Sequence, residues 1–599
     1  MSENTAVKNR CDIPAEYKWR LEDIYANDGL WEEEYEKLSA MIPALEELRH
    51  TLTAGGKQLA EGLKKMDEAA FLLERLYVYA RMRRDEDNTN AAYQALTDRA
   101  TSLSVRLSAA TAYVSPLLLS MDEATLKEYV ETTPELGEYR FMIADLLRGK
   151  KHILSEQEEK LLSLAGDFSG GAKDIFTMLN NADIRFADVE KDGTVHPLSH
   201  ATYIALMQDG DRALREKVFE TYYKSFKDQI NTISATYATS VKKDVFYAKA
   251  RGYGSALEKG LFADNVPVSV YDGLIETIHK NLPILHRYVA LRKELLGVEK
   301  LHMYDIYAPL VSEAHNTYTY EEAVHLCKEG LKPLGEDYCA VLESAFEEGW
   351  VDVYENKGKS SGAYSWGVYG THPYVLLNHR GDLDSVFTIA HEMGHAMHTY
   401  YSNKMQPYST SGYAIFVAEV ASTVNEILMT RYLLKTVTDK KLRKYILNHY
   451  IDQFRTTVLR QTMFAEFEKE SHAMAEAGQP LTAASLCEVY GKLNKLYHGP
   501  AMEEDETISY EWARIPHFYN AFYVYKYATG FSCASAIVAN LDKPGFLEKY
   551  RAFLGSGGSD YPIALLETAG VDFKSVVDTC MAEFDRALGE FEALCREDL

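Results

Sequence analysis

The residues best placed to do chemistry are His391-Glu-Met-Gly-His395. On a helix, positions i and i+4 lie one turn apart on one face, so both imidazoles can reach a single metal ion. Two His ligands at that spacing suit zinc, ~2.0–2.1 Å from each ring nitrogen. Glu392 adjoins the first His, where its carboxylate can take a proton from a zinc-bound water whose pKa the metal has lowered. That makes it the expected general base. With 18 His in 599 residues, chance supplies a His-Glu-x-x-His pattern roughly 0.04 times per chain, so the pattern carries information.

A catalytic zinc needs a third protein ligand and one open position. His398 shares the helix face, but the seven residues from His391 span a rise of ~10.5 Å, too long for one ion to hold both ends. It is expected behind the site or along its wall. The third and sixth positions after the second His are His398 and Tyr401, which excludes the metzincin pattern. Glu419 is the better ligand. It stands in the apolar run Ile415-Phe-Val-Ala-Glu-Val-Ala, where a buried carboxylate is costly unless paired or metal-bound. Its distance in sequence from His395 fits two antiparallel helices joined by the loop Ser402–Tyr413. The expected set is one zinc per chain on His391, His395 and Glu419, with Ser422 or Glu426 orienting a His from behind.

These residues need a scaffold. Ser385–Ala390 is apolar and helix-compatible, and Asp382 or Asp384 can cap a helix starting there. The preceding stretch, Lys357–Asp384, is interrupted by residues that include Gly362, Gly367, Gly370, Pro373 and Gly381. Within it, Pro373–Asn378 reads as a strand of a small sheet beside the zinc helix, and as a strand to which an extended peptide could add. Most of the remaining chain predicts helix, as in Trp31–Thr51, Leu59–Arg84 and Asn90–Leu119, with only 16 Pro to interrupt it. The fold class is therefore mainly α. Between Asn181 and His200, alternating residues around Asp192-Gly193 predict a hairpin, and a boundary is placed there. Residues 1–195 form an N-terminal helical region and 196–599 the catalytic region. Gly555–Asp560 lacks the Gly-Lys-Ser/Thr of a phosphate loop and reads as a flexible turn or hinge.

Composition narrows the partners. The net charge of −25 repels phosphate backbones and anionic lipid, so neither nucleic acid nor a membrane is an expected partner. The seven Cys are scattered without a CxxC pair, and the polar N-terminus lacks an apolar signal segment, pointing to the cytoplasm. No apolar run reaches transmembrane length. Nothing calls for an obligatory protein partner.

HEMGHAMH followed by FVAEVASTVNE resembles the oligoendopeptidase F family, relatives of thimet oligopeptidase. Tyr17–Tyr25, Asp264–Pro267, His302–Tyr307, Gly362–Ser365 and Pro373–Asn378 extend the likeness over most of the chain. The resemblance implies a helical zincin-type metallopeptidase with a deep cleft: a cytoplasmic zinc endopeptidase of short peptides, active in peptide catabolism. It implies the same ligands, His391, His395 and Glu419, and the same base, Glu392. It also implies a His and Tyr group near the C-terminus that stabilises the oxyanion. Within His517–Gly530 the matching residues are taken to be His517, Tyr519 and Tyr525.

Overall fold

Helices dominate the computed structural model, which describes residues 7–311 and 317–597. The expected long helices form as Asp28–Glu47, Gly56–Glu86 and Ala91–Thr111, but Asn90–Leu119 is not one helix. It breaks before Val114–Ser120. Pro116 explains the break: it has no N–H for the Ala112 carbonyl and its ring would strike that carbonyl. The predicted hairpin is present. Strands β1 (Val189–Lys191) and β2 (Thr194–His196) pair antiparallel. Asp192 and Gly193 between them adopt φ of 52° and 78°, the left-handed pair that a two-residue hairpin turn requires.

The chain forms two compact units. One comprises Met1–Lys151, His315–Tyr432 and Asn540–Gly570; the other comprises His152–Ala314, Leu433–Ala539 and Val571–Leu599. Compactness therefore does not follow a single cut near residue 195, because each unit is assembled from three segments.

In the first unit a small sheet of β3 (Val351–Asp352), β4 (Tyr364–Trp366) and β5 (Tyr374–Leu376) packs under the N-terminal helices. Trp19, Trp31, Leu76 and Tyr79 share one core with Tyr374 and Leu376. The order is β3-β5-β4, with β5 parallel to β3 and antiparallel to β4. The predicted strand is thus β5, buried on both faces as its unbroken apolar run implies. Its neighbours occupy both its edges, so the expectation that a peptide adds to it fails, and the sheet edge lies at β4. The end of β3 is held by a buried ion group. Arg10 reaches Asp352 with both terminal nitrogens, at 2.8 and 2.5 Å, and Lys359 Nζ lies 2.7 Å away.

Four helices carry the functional residues: α1 (Leu383–Met405), α2 (Ile415–Thr436), α3 (Arg460–Glu476) and α4 (Tyr525–Asn540). Asp382 caps α1, its Oδ1 accepting from the Ser385 N–H at 2.8 Å. The glycine-rich segment after residue 554 braces the α1–α2 connection and is no hinge. Gly558 N–H donates to the Thr410 carbonyl, and Gln406 Nε2 to the Gly555 carbonyl. A Cβ on Gly557 or Gly558 would lie only 2.2 or 2.3 Å from the Thr410 or Gly412 carbonyl oxygen. No described helix is long and apolar enough to cross a membrane.

Candidate metal centre and active site

Helix α1 presents His391 and His395 one turn apart, and α2 brings Glu419 against them. The two Nε2 atoms lie 3.2 Å apart, and Glu419 Oε2 is 3.7 Å from each. A triangle with those sides has a circumscribed radius of about 2 Å, the bond length of a first-row metal to nitrogen or oxygen. Among the described residues, these three form the group of His, Cys, Asp or Glu able to hold a metal ion. The two His side chains are mostly covered, whereas the Glu419 side chain is 44% exposed. Glu419 is therefore not the fully buried carboxylate that its apolar run predicts. Its carboxylate faces the open side of the site, although its helix is buried around it.

Each imidazole is oriented from behind. His391 Nδ1 lies 2.5 Å from Glu426 Oε1, so the proton stays on Nδ1 and the Nε2 lone pair points toward His395 and Glu419. His395 gives a ring N–H to the Ala418 carbonyl, with the same result. Of the two expected supports, Glu426 holds a His, while Ser422 Oγ donates to the Glu419 carbonyl at 3.1 Å. Burial lowers the His391 pKa, but Glu426 above all, with Glu392 and Glu419, lifts it to about 9. Burial and the His391 charge push His395 down to about 3.

The closeness of α1 and α2 depends on Gly394. A Cβ there would lie 2.5 Å from Ser422 Cα and 2.8 Å from Ala421 O. Asn425, three residues beyond Ser422, donates from Nδ2 to the Ala390 carbonyl at 3.0 Å. A glycine and an amide thus set the separation at which Glu419 meets the two His residues. His398 is buried away from this centre, stacked on Tyr413 at 3.8 Å between ring centroids, so it backs the site and is not a ligand.

Glu392 is 7% exposed. Burial, together with Glu419 and Glu426 but against His391, raises its pKa to about 7. The Ser365 backbone N–H on β4 hydrogen-bonds to its carboxylate. It borders a cavity of about 500 Å³ whose walls include Gly362, Ala363, Asn378, Arg380 and Thr388. A carboxylate with that pKa, beside a metal site and an open cavity, is suited to proton transfer near neutral pH.

The second unit holds the C-terminal candidates. His517 is exposed in the first half of the short 3-10 turn Pro516–Tyr519, and burial and the Arg460 charge lower its pKa. The two tyrosines chosen with it are elsewhere. Tyr519 is buried, stacked 4.4 Å from Phe176, with its hydroxyl toward Thr236. Tyr525 is fully buried 5.1 Å from Tyr271. The partly exposed phenols around His517 are Tyr523 and Tyr527, at 6.2 and 6.1 Å between centroids. Their i, i+4 spacing was the available signal.

The family model described as Peptidase family M3 matches residues 205–583. The chain belongs to that family. A second model, Oligopeptidase F, matches residues 118–186. Oligopeptidase PepF of Bacillus subtilis is 44% identical over 593 residues, covering 98% of this chain and 88% of that one. A solved oligoendopeptidase-F from Enterococcus faecium is 38% identical over 95% of this chain and 99% of that one, with a TM-score of 0.73. A crystal structure from Chlamydophila abortus reaches a TM-score of 0.94 at 35% identity, covering 98% and 100% of the two chains. This M3 chain, of the oligoendopeptidase F group, is accordingly a mainly helical metallo-endopeptidase.

Proposed function

We propose that this M3 peptidase uses one zinc ion, held by His391, His395 and Glu419, to hydrolyse internal bonds of short peptides, with Glu392 as general base. The observation that carries the reading is the convergence of two oriented Nε2 atoms and one carboxylate oxygen around a point about 2 Å from each, which suits Zn–N and Zn–O bonds of ~2.0–2.2 Å. Bound there, zinc would supply Lewis acidity, acidifying water and polarising the scissile carbonyl. Glu392 takes the proton of the attacking water on a carboxylate oxygen and gives it to the departing amine nitrogen. The Ser365 N–H steadies that carboxylate. The edge of β4 offers backbone groups to an extended peptide regardless of its side chains. Oxyanion donation is the role the resemblance implies for a His and Tyr group of the second unit, where His517 and the partly exposed Tyr523 and Tyr527 are the candidates.

The proposal includes the division into residues 1–195 and a catalytic region 196–599. It also includes action in the cytoplasm, on short peptides, without nucleic acid, membrane or an obligatory protein partner. The test is digestion of free and end-blocked peptides of graded length, and of one unfolded protein, followed by mass spectrometry. Internal cuts in end-blocked short peptides are expected. Cuts from free termini alone would replace the reading with an exopeptidase.

A further inference from the structure

Between His517 and α4 the chain turns through Phe522, whose φ is +59°. A bulky L-residue persists in the left-handed region only where its surroundings over-determine it. Here they do. The ring is 2% exposed, with centroids 4.5 Å from His472 and 6.0 Å from Tyr271. It presses on the backbone of the helix Ala256–Phe262, where a Cβ on Gly260 would come within 2.6 Å of Phe522 Cδ2. Its N–H is 3.0 Å from Oε1 of Glu468, a fully buried carboxyl on α3. Oε2 of Glu468 has no hydrogen-bond partner among the described residues.

We propose that Glu468, by holding the Phe522 N–H, is a positioning residue that fixes the turn from which His517, Tyr523 and Tyr527 project. The inference rests on the reading above, in which that His–Tyr group serves the reaction. The bond spans the turn at its midpoint, with His517 five residues before it and Tyr523 and Tyr527 one and five residues after. Released from Glu468, Phe522 would relax toward negative φ, and the turn would rotate the residues on either side of it. What the site needs from Glu468 is one acceptor oxygen, not a charge. Burial and the nearby Asp244 push the carboxyl pKa well above its ordinary range, against the Phe522 N–H, and glutamine keeps the acceptor oxygen in the same shape.

The test uses the metal-loaded full chain and compares Glu468→Gln, Glu468→Leu and Gly260→Ala, the last pushing on the Phe522 ring. Displacing catalytic groups by ~1 Å costs about 10²-fold in rate, so Glu468→Leu and Gly260→Ala are expected to lower kcat by ten- to a hundredfold. KM should stay within about threefold, and metal content should be unchanged. Glu468→Gln restores kcat to within about threefold of wild type. In a His517→Ala background the Glu468→Leu loss should largely vanish, because groups acting as a unit are non-additive. Equal losses in both backgrounds, or wild-type kcat in both Glu468→Leu and Gly260→Ala, would overturn the positioning role. Wild-type turnover in His517→Ala and in a Tyr523→Phe, Tyr527→Phe double variant would overturn the reading beneath it. Should Glu468→Leu not fold, Gly260→Ala and Glu468→Gln carry the test alone.

Discussion

Replacing Gly394 with alanine ought to damage the metal site although it adds one methyl group and touches no ligand. On an open helix the change would stabilise by about 1 kcal/mol, because alanine is the better helix former. At this position the new Cβ would lie 2.5 Å from Ser422 Cα and 2.8 Å from both Ala421 O and Ser422 N. All three are backbone atoms, so no rotamer relieves the contact. Reaching an ordinary separation of about 3.5 Å requires α2 to retreat by roughly 1 Å. Glu419 sits one turn before Ser422 and retreats with it, so the triangle of 3.2, 3.7 and 3.7 Å opens. Overpacking of this kind costs about 1–3 kcal/mol, which outweighs the propensity gain. A ~1 Å misplacement lowers rate about 10²-fold, and disturbed ligand support weakens metal binding by about 10- to 100-fold. The assay is metal titration in a buffered zinc series, with peptide turnover at saturating metal and thermal melting beside it. Wild-type metal affinity and turnover in Gly394→Ala would refute the claim that this glycine sets the ligand spacing.

Two further outcomes follow from the same geometry and from the second unit's buried charges. Glu426→Leu removes the acceptor 2.5 Å from His391 Nδ1; metal affinity should fall about 10- to 100-fold, read by competition with a chelator, and an unchanged affinity would remove Glu426 from the site. Glu511 is fully buried in the second unit, and Arg460, Arg514 and Tyr490 hold its pKa at about 2 against the pull of burial. A folded-state pKa below the unfolded value gives stability that is complete above about pH 4.5 and lost as pH falls toward 2, roughly 3 kcal/mol in all. Denaturant titrations across that window should show the loss in wild type and a flatter profile in Glu511→Gln; parallel profiles would refute the assignment.

The metal site was legible because its signal is local. The i, i+4 repeat of His391 and His395 survives on any helix, and Glu419 stood out as an acid in an apolar run. Burial is nonetheless not what marks Glu419, whose side chain is 44% exposed. Strand β5 could be read from Pro373–Asn378, but its central place could not, because strand order is decided by the distant Val351–Asp352 and Tyr364–Trp366. Gly394 has no local signal, because its role depends on the distant backbone of α2 packed against it. Tyr519 and Tyr525 were matched by similarity, and both side chains are buried, whereas Tyr523 and Tyr527 are the partly exposed phenols near His517. A left-handed residue, Phe522 at φ +59°, lies between His517 and Tyr523. Such a φ has no composition signal when the residue is not glycine.

The central claim is that Glu392 moves the proton at a zinc site it does not help to build. Glu392→Gln keeps the shape and removes the base. The decisive measurement is zinc content together with turnover of an end-blocked short peptide, for wild type and Glu392→Gln side by side. The account predicts equal zinc and a turnover at least ~10³-fold lower in the variant, near the upper range for loss of a general base. Near-wild-type turnover by the zinc-loaded variant would contradict it.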